Sequence, residues 1–378
     1  MKNTISPTLL RSLLALFFVA PIALPAAAAE DDIPRMADGR PDLSGFYNIA
    51  TLTPLQRPAK YGDNLFLTAE EARAIEEEEQ ALLAKANEKS DPNRTAPSDT
   101  GAAPVGFDDS QRENLGAGNV GGYNAFWIDR GSNAVSIDGA YRTSIISEPA
   151  NGRMPPTTDA ARERRAARRA LTPFRPNTGV AWWIQEGGAD ARGPYDDIEQ
   201  RPHAERCIMG FGSTQGPPML PALYNNHKRI VQTDTHVMIL VEMNHDARVI
   251  RLNSEHDDPS VRKWLGDSIG WWEGDTLVAS TKNFNDRPGL SSASRDLHVT
   301  ERFTRLDADT LHYEFTVEDP STWTQPWKGD YTWPRTSNKV YEYACHEGNY
   351  AMGNIMRGAR LLEAEALAAA ESSGGGGQ

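Results

Sequence analysis

Hydrophobic and polar residues alternate with a period of two in much of the chain from residue 229 onward, which is typical of β-strands. The clearest pair of segments is Leu297–Leu306 and Thr310–Val317. The residues between them, Asp307–Asp309, have the polar composition of a tight turn between antiparallel strands. The pattern predicts an antiparallel meander that contains this hairpin.

The three-residue turn also predicts which hairpin residues face each other, because a shift of one residue would exchange the two faces. One face then pairs Val299 with Val317 and Phe303 with Tyr313, and the other pairs Arg302 with Glu314, Thr300 with Thr316 and Thr304 with His312. The first face is apolar and the second is polar. We consider two interpretations of the polar face: a solvent-exposed surface with cross-strand ion pairs, or the lining of a barrel that holds a ligand.

Helices are predicted only at the margins of the strand-rich region. A capping box formed by Thr68 and Glu71 begins a helix over 68–89 that has few apolar positions. The other predicted elements are a short basic helix (160–170), a C-terminal helix (351–370), a surface loop rich in Pro, Ser, Asp, Asn and Gly (90–121), and two isolated strands (Leu43–Tyr47 and Arg142–Ser147).

These elements indicate a mainly β protein. The preferred architecture is an antiparallel meander that forms a closed or half-closed barrel of the calycin or lipocalin type with peripheral helices, and a two-sheet β-sandwich is the alternative. The predicted organisation is a signal peptide (1–29), an irregular N-terminal segment (30–122), a β-rich core domain (123–350) and a C-terminal helix with a flexible tail (351–378).

The first residues have the features of a secretory signal peptide. Lys2 and Arg11 form a basic region, Leu13–Leu24 is apolar, and Ala27–Ala29 offers a cleavage site of small residues. The apolar stretch is short and is interrupted by proline, which disfavours a permanent membrane anchor. We therefore expect a periplasmic or secreted protein that is cleaved near Ala29 and does not insert into the membrane afterwards.

The net charge of the chain is −13, from 39 Lys and Arg against 52 Asp and Glu residues. An acidic surface of this kind repels nucleic acids and anionic membranes. The expected partner is therefore a small-molecule substrate or ligand and not a nucleic acid. The sequence does not indicate a protein partner.

Cys207 and Cys345 are the only two cysteines. A disulfide between them is the preferred interpretation in an oxidising compartment. The alternative is a nucleophilic Cys345 assisted by His346, although adjacent residues of a strand point to opposite faces.

One cluster of polar residues follows directly after the apolar run Val237–Val241. It contains Glu242, His245, Asp246 and Arg248. A histidine between carboxylates can act as a general acid or base near neutral pH, and an arginine can stabilise developing negative charge. The alternative is an ordinary turn in which Glu242 and Arg248 form an ion pair.

A second cluster, Cys345–Asn349, follows a short aromatic run and contributes His346 and Glu347 as further catalytic candidates. A capped turn before the last helix is the alternative interpretation. The residues predicted to bind the ligand are Asn124, Trp127, Asp267, Asn283, His298, Arg302, Tyr343 and Asn349.

No spacing in the chain matches a metal-binding signature, and no cofactor is expected. The sequence has no H-E-x-x-H, no paired cysteines and no acidic calcium loop. It also lacks G-x-S-x-G, G-x-G-x-x-G and P-loop sequences, so serine hydrolases with that motif, dinucleotide-binding proteins and nucleotide triphosphatases lose support.

The chain resembles an uncharacterised family of exported bacterial proteins in a series of short phrases that span nearly all of it. These phrases are Arg40–Gly45, Thr53–Arg57, Tyr123–Trp127, Tyr224–Asn226, Glu242–Arg248, Trp264–Ser268, Trp272–Leu277, Tyr313–Val317 and Tyr343–Tyr350. The resemblance implies export and a single long β-rich unit, and it implies no particular reaction.

Together these features predict an exported enzyme that uses metal-independent general acid–base chemistry on a small, largely apolar molecule. A lyase, hydratase or isomerase would fit, with His245 as the acid or base, Asp246 or Glu242 orienting its ring, Arg248 stabilising negative charge and His346 as a second acid or base. The alternative is a non-catalytic, lipocalin-like protein that binds a small apolar ligand.

Overall fold

A ten-stranded β-sheet forms the centre of the molecule. The computed structural model describes residues 33–87, 93, 128–171 and 179–374. The predicted signal peptide, most of the loop at 90–121, the candidate ligand residues Asn124 and Trp127, and the end of the glycine-rich tail lie outside these ranges.

The strands of the large sheet, in spatial order, are β1 (Gly45–Asn48), β6 (His227–Gln232), β7 (His236–Val241), β8 (Ala247–Leu252), β9 (Asp267–Glu273), β10 (Thr276–Lys282), β11 (His298–Arg305), β12 (Thr310–Glu318), β13 (Trp327–Pro334) and β5 (Ile146–Glu148). A small sheet has the order β2 (Phe66–Leu67), β4 (Ala140–Arg142) and β3 (Ser136–Ile137). The helices are α1 (Ala69–Ala86), α2 (Asp159–Leu171), α3 (Trp182–Gly187) and α4 (Tyr350–Gly374).

The sheet curls into a half-closed barrel, which confirms the predicted architecture with its peripheral helices. The edge strand β1 approaches the far end of the sheet, where Tyr47 forms a bridge with Arg335 and the Thr336 N–H donates to the Phe46 carbonyl at 2.9 Å. Strand β1 comes from the segment predicted to be irregular. That segment therefore supplies part of the barrel wall.

The sequence predicts an antiparallel meander, but one pair of neighbouring strands, β8 and β9, is parallel. Parallel neighbours require a crossover and cannot be joined by a hairpin. Here the crossover is residues 253–266, which leave the end of β8 and return to the start of β9. This connection lies over the outer face of the sheet and carries His256, whose Nε2 lies 3.2 Å from the Ser280 hydroxyl.

The register predicted for the β11–β12 hairpin is confirmed at all five expected pairs. Side chains along both strands alternate between buried and half-buried, so the polar face is the outer one and meets solvent. The expectation that the other face is wholly apolar is wrong. Glu301 and Arg305 lie on it, since they are an even number of residues from Val299, and both are buried.

Aromatic side chains and a loop fill the inside of the half-barrel. The rings of Tyr313 and Trp333 lie 4.6 Å apart, centroid to centroid. The backbone of Met219 donates to the Tyr313 hydroxyl and accepts from the Tyr331 hydroxyl, each at 2.8 Å. The loop that carries Met219 thus supplies the hydrogen-bond partners that the two buried tyrosine hydroxyls require.

Two local predictions need correction. The single strand predicted over Arg142–Ser147 is wrong, because β4 ends at Arg142 and β5 begins at Ile146 in the other sheet. Between them the Ile145 N–H donates to the Pro54 carbonyl at 2.9 Å, outside both sheets, and the Ile145 carbonyl accepts the Asp330 N–H of β13 at 3.0 Å. The helix predicted to end at residue 89 ends at Ala86, and α4 extends beyond its predicted end at 370 to Gly374.

The predicted disulfide is present and joins Cys207 to Cys345, with 5.7 Å between their Cα atoms. It excludes the alternative role of Cys345 as a free nucleophile. Within the described ranges, no helix has the length and apolar composition needed to cross a bilayer.

Candidate functional site

The first polar cluster contacts the segment that leads to the second. The Nε2 atom of His245 accepts the backbone N–H of Tyr343 at 2.7 Å, two residues before the disulfide. His245 is exposed and has a positive φ of 53°, in the left-handed region that side chains rarely adopt. Its base nitrogen is thus already used to hold the segment that leads to Cys345.

The carboxylates of the first cluster also have structural partners. Glu242 accepts from the Nδ1 and the backbone N–H of His227, at 3.1 and 3.3 Å. Burial alone would raise the pKa of Glu242, but the bonds from His227 lower it overall. Asp246 accepts from the side-chain amide of Gln215, and burial raises its pKa.

Arg248 lies in β8 and points into the core, where it cannot reach a substrate at the surface. Its guanidinium donates to both carboxylate oxygens of Glu301, to Ser268 at 3.0 Å and to Thr281 at 2.9 Å. Glu301 also accepts from the Tyr313 hydroxyl at 2.7 Å. These atoms form a closed network, so we no longer assign Arg248 a role in stabilising substrate charge.

The second cluster contributes little chemistry. The side chains of His346 and Glu347 are exposed. The Asn349 amide donates to the Glu205 carbonyl at 2.8 Å, and its side-chain oxygen accepts the Met352 N–H at 3.2 Å at the start of α4. This is a helix cap, as the alternative interpretation predicted.

A different set of residues on the outer face of the sheet forms a continuous chain of hydrogen bonds. The Ser280 hydroxyl lies between two histidines, 3.2 Å from Nε2 of His256 and 3.0 Å from Nε2 of His298. Each imidazole is backed by a carboxylate: Asp267 lies 3.0 Å from Nδ1 of His256 and Glu318 lies 3.1 Å from Nδ1 of His298. We call these five residues the outer relay.

Neighbouring strands and the crossover position the outer relay. Asp267 begins β9, Ser280 lies near the end of β10 and His298 begins β11, so strand pairing brings them to one corner of the sheet. His256 comes from the crossover at 253–266. The Asn283 amide fixes that crossover by donating to the Asp257 carbonyl at 3.0 Å.

Asp267 is the anchor of the outer relay. Its side chain is 0% exposed and accepts from Arg251 at 2.8 and 3.1 Å and from Lys263 at 2.9 Å. Burial would raise the pKa of Asp267, but these cations and the Asp257 N–H hold it well below its usual range. A carboxylate that stays ionised keeps the His256 ring oriented.

The two histidines and the serine can share one extra proton. If both Nδ1 atoms donate to carboxylates, both Nε2 atoms are acceptors, and one hydroxyl hydrogen can satisfy only one of them. Protonation of one ring lets it donate to the Ser280 oxygen while the hydroxyl donates to the other ring. Burial and the nearby Lys282 lower the pKa of His298, which favours the neutral base at that position.

Solvent reaches this cluster. The side chains of His256 and His298 are 19% and 29% exposed, whereas Arg248 and Glu301 are almost fully buried. Lys282 lies two residues after Ser280 on the same face of β10 and is exposed. Within the described ranges its ammonium group has neither a hydrogen-bond nor an ion-pair partner.

Three residues that the sequence predicts to bind a ligand lie in the outer relay or beside it. Asp267, Asn283 and His298 were predicted to bind the ligand, and they lie together here. Arg302, on the same face, forms an ion pair with Glu273 at 2.8 Å. No pattern in the sequence singles out His256 or Ser280, because a crossover and not a hairpin brings them together. The polar residues at alternate positions of β10 and β11 were the only available signal.

A comparison with models of known protein families finds no match, and no curated protein is significantly similar to this chain. Among the residues that the structure describes, no three His, Cys, Asp or Glu side chains are grouped as metal ligands would be.

Proposed function

We propose that this protein is an exported enzyme that transfers a proton on a small molecule containing a carbonyl group, as lyases, hydratases and isomerases do. The observation that carries the proposal is the Ser280 hydroxyl held between two imidazoles, each oriented by a carboxylate. Two acid–base groups joined through one hydroxyl can accept a proton at one position and return it at another.

In this proposal each group has a separate task. Neutral His298 withdraws the hydroxyl proton of Ser280 as that oxygen takes a proton from the carbon next to the carbonyl. Protonated His256, backed by Asp267, returns a proton to the product. The Lys282 ammonium stabilises the negative charge on the carbonyl oxygen, because it has no competing partner in the described structure and lies on the same face.

The surroundings support a substrate with apolar parts. Val261 and Trp264 lie on the crossover that carries His256 and are 47% and 38% exposed. Exposed apolar side chains beside polar groups are typical of small-molecule sites. The disulfide and the signal-like N-terminus support export to an oxidising compartment such as the periplasm.

Solvent-exchange measurement tests the proposal without knowledge of the natural substrate. The purified protein is incubated in D2O with a panel of small ketones and hydroxy acids, and deuterium at the carbon next to the carbonyl is measured by mass spectrometry. We expect His256→Asn and His298→Asn to lower exchange roughly 100- to 10,000-fold, the usual contribution of a general acid or base.

Two other histidines provide controls. His236→Asn changes an exposed ring whose partner is the Thr235 hydroxyl, 2.9 Å away, and His245→Asn removes the residue favoured by the sequence. Both variants should exchange as the wild type does. Exchange that depends on His245 but not on His256, or the absence of exchange across the panel, would contradict the proposal.

A further inference from the structure

A second site is indicated by a cavity of about 690 Å³ at one end of the half-barrel. Four segments supply most of its lining, at residues 51–55, 154–157, 220–223 and 290–292. Its volume lies within the range of sites that hold drug-sized molecules. It shares no residue with the outer relay.

The floor of the cavity is apolar and belongs to the main core. Leu220, Leu290 and Trp323 line it and are only 4–6% exposed. Leu55 and Met154 pack against the same core cluster from the side. A ligand that enters would therefore cover hydrophobic surface on rigid, well-packed residues.

The rim of the cavity is cationic. Arg130 and Arg165 line it, and no Asp or Glu is among its lining residues in the described structure. Arg165 is an exposed residue of α2 with no hydrogen-bond or ion-pair partner within the described ranges. The basic helix expected from the sequence thus places an unpaired guanidinium over an apolar cavity, on a protein whose net charge is negative.

We propose that this cavity binds a small amphipathic carboxylate, with its apolar part on the Leu220, Leu290 and Trp323 floor and its carboxylate on Arg165. A guanidinium donates two parallel hydrogen bonds to a carboxylate, which favours this head group over a neutral one. The site is independent of the proposed proton-transfer chemistry and would remain if that chemistry were disproved.

Dodecanoate and dodecanol are matched probes for this site, because they differ only in the head group. Isothermal titration calorimetry with the full chain should show the carboxylate binding more tightly than the alcohol. Arg165→Gln should weaken dodecanoate binding roughly 10- to 100-fold, the value of a charge-assisted hydrogen bond, and leave dodecanol binding unchanged. Arg169→Gln, on the same helix but outside the cavity lining, should bind both probes as the wild type does.

A second variant tests the location. Ser291 lies at the exposed edge of the lining, so Ser291→Trp should block the cavity and abolish binding of both probes without altering the core. The proposal is overturned if the wild type does not bind dodecanoate, if Arg165→Gln binds it as tightly as the wild type, or if Ser291→Trp leaves binding intact.

Discussion

Two clusters of charged residues occupy opposite faces of the large sheet and share strands β9, β10 and β11. On the inner face, Arg248 and Glu301 form an ion pair with Ser268 and Thr281 around it, and both charged side chains are at most 2% exposed. Asp267 and Ser280 directly precede Ser268 and Thr281 in the sequence, so their side chains point to the outer face. There they belong to the outer relay, whose histidines reach solvent. The two clusters have similar residue types but different environments.

The difference shows how burial separates a structural network from a chemical one. Every polar atom around Glu301 has a fixed partner, and burial with Glu301 nearby raises the pKa of Tyr313 well above its usual value. A group held in this way does not exchange protons readily. The outer relay has one hydroxyl for two bases and an unpaired lysine beside it, so its protons can move.

The largest expected effect comes from breaking the inner ion pair. Glu301→Ala leaves the Arg248 charge buried without a partner, which should lower the free energy of unfolding by about 3–5 kcal/mol. Urea denaturation followed by circular dichroism measures this change.

The double variant Arg248→Met/Glu301→Leu serves as the control, since it removes both charges and fills their volume with apolar atoms. It should recover most of the lost stability. A single variant with wild-type stability would show that the inner pair is not structural.

The next largest effect is the dependence of stability on pH that Lys228 causes. This lysine lies on the inner face and has no carboxylate bonded to its amine. It is fully buried, its amine donates to the Thr214 hydroxyl at 3.2 Å, and burial lowers its pKa to about 7. In the unfolded chain the Lys228 amine keeps its proton up to about pH 10.4. Between these values the unfolded state binds more protons, so stability rises with pH, by at most about 1.4 kcal/mol per pH unit.

Lys228→Met removes this dependence. The variant should be more stable than the wild type at pH 6, and the difference should shrink as the pH rises from 7 to 9.5. Denaturation curves at four pH values test this, and a difference that does not vary with pH would show that Lys228 is not desolvated in the folded state.

The smallest effect is expected on the outer face outside the relay. Arg302 and Glu273 form an exposed pair, and exposed pairs contribute little because water and salt screen them. Arg302→Gln should leave the denaturation midpoint and the deuterium exchange rate unchanged. A marked loss of exchange with an unchanged midpoint would place Arg302 in the site, as the sequence suggested.

The sequence was most informative where local rules decide the structure. The turn at Asp307–Asp309 set the register of the hairpin, because a tight turn allows few pairings, and the capping box at Thr68 located the start of α1. The same reasoning overlooked Glu301, because a mostly apolar face can hide one paired charge whose partner lies on a distant strand.

The sequence by itself thus determined the mainly β class, the hairpin register and the disulfide partners, and it offered a set of candidate acid–base side chains that lacked His256 and Ser280. Only the tertiary structure decided which of these side chains work together. The parallel crossover brings His256 to Ser280, and the curl of the sheet buries Arg248 against Glu301. Side-chain roles depend on burial and on partners from remote strands, and neither is encoded in the spacing of residues along one strand.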